Sequence, residues 1–227
     1  MRYSMIDTVI VSGGNIQKGF ALDFLKRIKE ERQDGGLCLI AADKGLEFFM
    51  ETGLAPDVIV GDFDSLSEKG KIYLDTLQNV EILRLKPEKD DSDTQSATNL
   101  AIQKGSANIL LLGSTGSRLD HNIANLELLS MGENKGVSVT MADSNNYVTL
   151  IKSGTVLERE NQFGQFVSFF PVGGEVEGLT LEGFKYPLYD HHLTVADSGL
   201  TVSNEIISPM ARVTFTKGSL LMIMSRD

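Results

Sequence analysis

The chain has one cysteine, three histidines, no tryptophan and no apolar run long enough to cross a membrane. Cys38 has no second thiol to join, so no disulfide forms within the chain. It lies in the apolar run Leu37-Cys38-Leu39-Ile40 and reads as a buried small hydrophobe. The pair His191-His192 has no cysteine nearby and no carboxylate at ligand spacing, so it reads as surface. Apolar stretches such as 108–112 fall far short of the roughly 20 residues a spanning helix needs. Met1-Arg2-Tyr3-Ser4 leads into polar sequence, so no export signal is expected and the cytoplasm is the expected location.

Basic residues are also in deficit, with 21 against 31 acidic ones and a formal net charge of −10. That argues against a nucleic-acid binder working by phosphate neutralisation. A small phosphate ligand stays compatible, because metal ions can supply the missing positive charge. The Walker A pattern G-x-x-x-x-G-K-[ST] and the dinucleotide pattern G-x-G-x-x-G are both absent. There is no internal repeat and no low-complexity linker. What remains is an ordinary globular composition, 41% hydrophobic and 23% charged, over 227 residues. That length suits one large domain or two small ones.

The first ~145 residues alternate short apolar runs with helix-period segments, the pattern of parallel βα units. Strands are expected at 8–11, 37–42, 58–60, 80–85, 108–112 and 137–142. Leu22, Leu25 and Ile28 share one predicted helix face, as do Ala97, Leu100 and Ala101 in another helix. Ile109-Leu110-Leu111-Leu112 is apolar throughout, as for a strand covered on both faces. After Asp143 the segments become short, β-branched and aromatic, at 147–151, 166–170, 176–181, 212–216 and 220–224. Turn signals stand between them, among them Gly154, Gly173-Gly174, Gly183 and Gly218. The expectation is α/β in class: a doubly wound, mostly parallel Rossmann-like sheet over 1–145, then an antiparallel β-sandwich over 146–227.

Open parallel sheets bind ligands at the carboxyl ends of their strands. Here those ends carry Ser12-Gly13-Gly14, Asp43-Lys44-Gly45, Gly61-Asp62-Phe63-Asp64-Ser65, Lys89-Asp90-Asp91-Ser92-Asp93-Thr94, the segment 113–121, and Asp143. Asp62 and Asp64 repel each other unless a cation lies between them or one takes a proton. Mg²⁺ suits such a pair, since it binds through one or two carboxylates plus water and phosphate oxygens. Of the acids at 90–93, one serves as a helix cap, and Asp91 reads as a solvated surface charge. The segment 113–121 offers Gly113, Ser114, backbone N–H groups and the Arg118 guanidinium at a strand-to-helix turn, a reasonable phosphate cradle.

Taken in order, these motifs resemble the thiamine pyrophosphokinase family. The matching stretches are Ala42-Asp43-Lys44-Gly45, Gly61-Asp62-Phe63-Asp64-Ser65, Lys89-Asp90 through Asp93, and Arg118-Leu119-Asp120-His121. Gly183-Phe184-Lys185-Tyr186-Pro187-Leu188 and Ser203-Asn204-Glu205 continue the resemblance into the second half. Tyr186 stands where some members carry Trp, and Ser92 where Thr is common. The resemblance implies transfer of the pyrophosphoryl group of ATP to the thiamine hydroxyl, releasing AMP and thiamine diphosphate. It implies a catalytic first domain and a thiamine-binding second domain that forms a homodimer. Asp62, Asp64 and Asp93 are then the catalytic residues, holding Mg²⁺ together with Asp90. Asp43, Gly113, Ser114, Arg118, Asp120 and His121 serve ATP, while Ser203, Asn204, Tyr186 and Lys89 serve thiamine.

Two other readings compete. The stretch 58–66 partly resembles the D-x-D-x-[TV] motif of haloacid-dehalogenase-like phosphatases, although two βα units precede it here. A non-catalytic nucleotide or Ca²⁺ sensor is the second. As an EF-hand loop starting at Asp62 the segment fails, because Ser67 replaces the required Gly and Tyr73 the required Glu.

Overall fold

The computed structural model describes residues 5–32, 36–86, 88, 90–197 and 199–227. Residues 1–4, on which the export-signal expectation bears, and Lys89 lie outside these. The chain divides into two compact units, the first ending at Ser144 and the second running Asn145–Asp227.

Among the described residues of the first unit six strands lie parallel: β1 (Thr8–Val11), β2 (Cys38–Ala42), β3 (Val58–Gly61), β4 (Glu81–Arg84), β5 (Asn108–Leu112) and β6 (Ser138–Ala142). Their order is β4-β3-β2-β1-β5-β6. The chain therefore steps outward from β1 to β4, then returns to build β5 and β6 on the other side of β1. That reversal beside β1 is the place in the sheet where open α/β folds characteristically bind ligands. β1 and β3 are buried at every position, as is β5 from Ile109 to Leu112. β4 departs from this: all four of its residues are exposed, as befits an edge strand carrying Glu81 and Arg84.

Among the described residues five α-helices connect these strands: α1 (Lys18–Glu31), α2 (Leu46–Thr52), α3 (Glu68–Thr76), α4 (Asp93–Gln103) and α5 (Leu119–Asn134). The buried face of α1 is Ala21, Phe24, Leu25 and Ile28, and Leu22 is exposed. The expected stripe was thus rotated: a strict three-residue spacing drifts off a 3.6-residue period, and Phe24 has more area to bury. α4 buries Thr94, Ala97, Thr98 and Ala101, with Leu100 half-buried at the edge of that face.

The second unit is antiparallel throughout, with β7 (Asn146–Ile151), β8 (Thr155–Glu158), β9 (Phe166–Glu182), β10 (Leu188–Leu193), β11 (Met210–Thr214) and β12 (Lys217–Ser225). β9 is one 17-residue strand where two were expected. Gly173 takes a positive φ of 70° inside it, so the strand bends there without reversing. Its first half pairs with β12, from Phe166↔Ser225 to Val172↔Ser219. Its second half pairs with β10 and β11, as in Leu181↔Leu188 and Leu181↔Val213. The core between these pairings includes Val167, Phe169, Leu179, Leu181, Phe184 and Leu220, with Phe169 and Phe184 edge to face at 5.6 Å.

Candidate active site

The strand-end segments of the first unit are locked together by backbone contacts. The Ser12 N–H donates to the Leu112 carbonyl at 2.8 Å, and the Gly14 N–H to that of Gly113 at 2.8 Å. Gly113 sits at φ 62°, and a Cβ there would meet the Ser12 carbonyl at 2.5 Å. No larger residue fits at that crossing. Next to it, the Asp43-Lys44-Gly45 turn lies so close to β1 that a Cβ on Gly45 would overlap the Val11 carbonyl. Thr94, in the first turn of α4, donates its hydroxyl to the buried Ser12 Oγ at 3.0 Å. The segments after β1, β2 and β5 and the start of α4 thereby share one edge of the sheet.

Asp43, Asp62 and Asp64 each bring a carboxylate oxygen within 4.8 Å of the other two, forming the one such acidic group among the described residues. Ser65 donates its hydroxyl to Asp43 Oδ2, while Asp43 Oδ1 is buried without a hydrogen-bond partner. Burial pushes the Asp43 carboxyl up, the Ser65 bond opposes this, and the charges of Asp93 and Asp62 push it further up. An orphaned buried oxygen beside two further carboxylates fits a divalent cation, which would relieve both the desolvation and the repulsion. Asp43, assigned from sequence to ATP, therefore stands within the carboxylate group. Asp93, the first residue of α4, is near enough for its charge to act on Asp43. Asp90 is exposed and outside the group.

The turn between Asp62 and Asp64, just past β3, is itself strained. Phe63 is buried at φ 67°, and the Asp64 N–H donates to Asp62 Oδ1 at 3.2 Å. The Arg84 guanidinium lies 5.1 Å from the Phe63 ring centroid, over its face. Non-glycine residues at positive φ are uncommon, and among the described residues they are Asp43, Phe63, Asn79, Asp190 and Ser203. Three of these five fall in the segments expected to be functional, where strain is characteristically held.

Asp91 differs from its expected solvated state. It is half-buried, and its carboxylate accepts from Gln95 Nε2 at 2.6 Å and Asn99 Nδ2 at 3.4 Å on α4. Ser92 is the N-cap, its Oγ accepting from the Gln95 N–H at 3.2 Å.

Beyond β5, Ser114 is buried with its Oγ unpartnered. Arg118, Asp120 and His121 lie exposed at the start of α5. Arg118 donates to Asp120 through Nε at 3.2 Å and Nη2 at 2.6 Å, and the His121 N–H donates to Asp120 Oδ1 at 3.0 Å. The Arg118 hydrogen bond is the main cause holding the Asp120 carboxyl down at about 2. Two further side chains, Asn122 and Asn125, reach from α5 into the 113–117 turn. Sequence reasoning passed them over, although their three-residue spacing just after a glycine–serine turn is a usable signal.

In the second unit Asn204 is only 1% exposed, and its amide is committed to backbone. Oδ1 accepts from the Tyr186 N–H at 3.0 Å and the Glu205 N–H at 2.9 Å, while Nδ2 donates to the Tyr186 carbonyl at 2.7 Å. Tyr186 itself is 55% exposed, with the Lys185 ammonium 5.6 Å from its ring centroid. Lys185 in turn pairs with Glu205 at 2.6 Å. Ser203 is exposed at φ 55° and its N–H donates to Ser168 Oγ at 3.0 Å. The sequence brings Ser203, Asn204 and Tyr186 together, but Asn204 holds the Tyr186 backbone in place.

A parallel α/β unit with an acidic group at its strand ends, followed by an antiparallel unit, is the architecture of an α/β enzyme. Residues 34–141 match the family described as thiamin pyrophosphokinase, catalytic domain, and residues 154–220 match thiamin pyrophosphokinase, vitamin B1 binding domain. The thiamine pyrophosphokinase of Bacillus subtilis (strain 168) is 32% identical over 188 residues, covering 83% of this chain and 87% of the relative. The crystal structure of the B. subtilis enzyme superposes with a TM-score of 0.83 at 29% identity, over 97% of this chain and 99% of that one. The yeast enzyme shares the fold, with a TM-score of 0.78 at 15% identity, covering 98% of this chain and 87% of its own. The chain belongs to the thiamine pyrophosphokinase family.

Proposed function

We propose that this chain transfers the pyrophosphoryl group of ATP to the hydroxyl of thiamine, giving thiamine diphosphate and AMP. The observation that carries the reading is the Asp43, Asp62 and Asp64 group, with its orphaned buried oxygen, on the sheet edge it shares with the 113–118 turn. The thiamine oxygen bonds to the β-phosphorus of ATP, and the bond from that phosphorus to the α–β bridging oxygen breaks. AMP leaves with the bridging oxygen, and a strand-end carboxylate takes the hydroxyl proton. Asp62, Asp64 and Asp43 would hold Mg²⁺, with Asp93 adding negative charge nearby. The ion would supply the positive charge that offsets the charge of the phosphates.

In this reading 1–145 is a doubly wound, Rossmann-like catalytic domain and 146–227 a β-sandwich that binds thiamine and forms a homodimer. Gly113, Ser114, Arg118, Asp120 and His121 serve ATP. Ser203 and the Tyr186 ring contact thiamine, with Asn204 acting through Tyr186. Dimer formation is supported by large apolar side chains left exposed in the second unit, among them Tyr189 at 71%, Val195 at 80% and Met210 at 58%. A cytoplasmic location suits an enzyme of this kind with one cysteine, and no described helix is long and apolar enough to cross a membrane.

ATP labelled at the γ-phosphate tests the reaction. With Mg²⁺ and thiamine, the label is expected in thiamine diphosphate. Label released as inorganic phosphate without need of thiamine would refute the transfer and favour the phosphatase reading. The position of Asp62 already disfavours that rival, since its aspartate follows the third strand rather than the first.

A further inference from the structure

A short turn of glycine, serine and threonine has many accessible conformations and loses much entropy when a ligand fixes it. The turn 113–117 is fixed in advance. Asn122 Oδ1 accepts from the Gly116 N–H at 2.9 Å, and its Nδ2 donates to the Gly116 carbonyl at 3.0 Å. Asn125, 8% exposed, donates Nδ2 to the Ser114 carbonyl at 2.7 Å. The Thr115 hydroxyl donates to Asp143 Oδ2 at 2.9 Å, just past β6. On the other side, the Asn15 N–H donates to the Thr115 carbonyl at 2.7 Å. Residues 122 and 125 lie three apart on α5 and so face the turn together.

We infer that Asn122 and Asn125 are positioning residues for the nucleotide, holding the 113–117 turn in the shape that receives the ATP phosphates. This rests on the reading of that turn as part of the ATP site. Both residues act through the loop. Asn122 takes up the Gly116 N–H and carbonyl, and Asn125 takes up the Ser114 carbonyl. That leaves the Ser114 and Ser117 hydroxyls as the groups for the phosphates, with the Arg118 guanidinium, braced by Asp120, beside them. Ordering the turn before ATP arrives removes that cost from binding, so the asparagines strengthen nucleotide affinity without contacting the nucleotide.

The test uses Asn122→Asp and Asn125→Asp. Each keeps the side-chain shape and sets a carboxylate oxygen against a backbone carbonyl that formerly accepted a hydrogen bond. The KM for ATP is expected to rise about tenfold, as a lost bond of this kind gives. The KM for thiamine should be unchanged and kcat altered much less. A purely structural brace would lower the melting temperature and leave the KM for ATP where it was, and that result would overturn the inference. If Asn125→Asp does not fold, Asn122→Ser, at a half-buried site, carries the same comparison, and a KM for ATP equal to wild type overturns the inference equally. Titration of wild type with a non-hydrolysable ATP analogue and Mg²⁺ separates the two levels. No binding removes the ATP-site reading together with this inference. Binding that is equally strong in the variants removes the inference alone.

Discussion

Asp43 is held by opposed forces: burial and the charges of Asp93 and Asp62 push its carboxyl up, while Ser65 stabilises the ionised form. A carboxyl raised in the folded protein binds its proton more tightly folded than unfolded. Its contribution to stability is therefore present below the ordinary carboxylate value of 3.8 and is lost as pH rises through the folded value. Asp43→Asn keeps an oxygen for the Ser65 hydroxyl and removes the charge. At pH 7 without divalent metal, the variant is expected to melt higher than wild type, with the gap closing near pH 3. Its turnover should fall by roughly 100-fold or more, as when a charge-stabilising group leaves a transition state. A lower metal-free melting temperature at pH 7 would contradict the account of Asp43. Asp120 shifts the opposite way. Its depressed carboxyl favours folding above 3.8 and loses that contribution as pH falls through about 2. Because the pair with Arg118 is solvent-exposed, the effect on stability is small. Carbon-detected NMR titration should instead show the Asp120 carboxyl returning towards 3.8 in Arg118→Gln.

Helix α4 shows how an element delivers a site. Its Ser92 cap orients the first turn, Thr94 ties that turn to Ser12, and Asp93 is presented towards Asp43. Ser92→Ala should cost about 1 kcal/mol in a urea titration, the usual value of a lost N-cap. Asp91→Asn, at a residue the sequence alone reads as a solvated surface charge, should cost about 1 kcal/mol as well. One of its two acceptor oxygens becomes a donor facing the amide donors of Gln95 and Asn99. Gly45→Ala is expected to destabilise by about 1–3 kcal/mol or to distort the Asp43 turn, because its Cβ has no room against β1.

The elements were unequally legible. β1, β3 and β5 declare themselves because a buried parallel strand is apolar at every position, and their ends follow to within a residue. β10 hides because Leu188–Leu193 carries Tyr, Asp and two His, its place in the sheet being set by pairing with β9. β8 hides because four residues give too short a pattern. In the site, the Asp62 and Asp64 pair was readable from two-residue spacing after an apolar run. The approach of Asp43 was not, since it comes from the parallel register of β2 on β3, which places Ala42 beside Val60. The commitment of the Asn204 amide to backbone was not legible for a similar reason: whether a polar side chain bonds to its own backbone depends on burial, which one sequence does not display.

At the scale of the whole molecule, a chain of formal charge −10 is expected to handle a polyphosphate substrate with help from bound cations. Mg²⁺ should therefore raise the melting temperature of wild type, because it binds the folded carboxylate group and not the unfolded chain. Asp62→Asn should blunt that rise. The most direct measurement follows ATP, AMP and thiamine diphosphate together in one time course, with wild type and a folded Asp62→Asn variant side by side. The account predicts AMP and thiamine diphosphate in equal amounts from wild type, only with thiamine present, and neither from the variant. ADP with thiamine monophosphate, or a variant that turns over like wild type at saturating Mg²⁺, would contradict it.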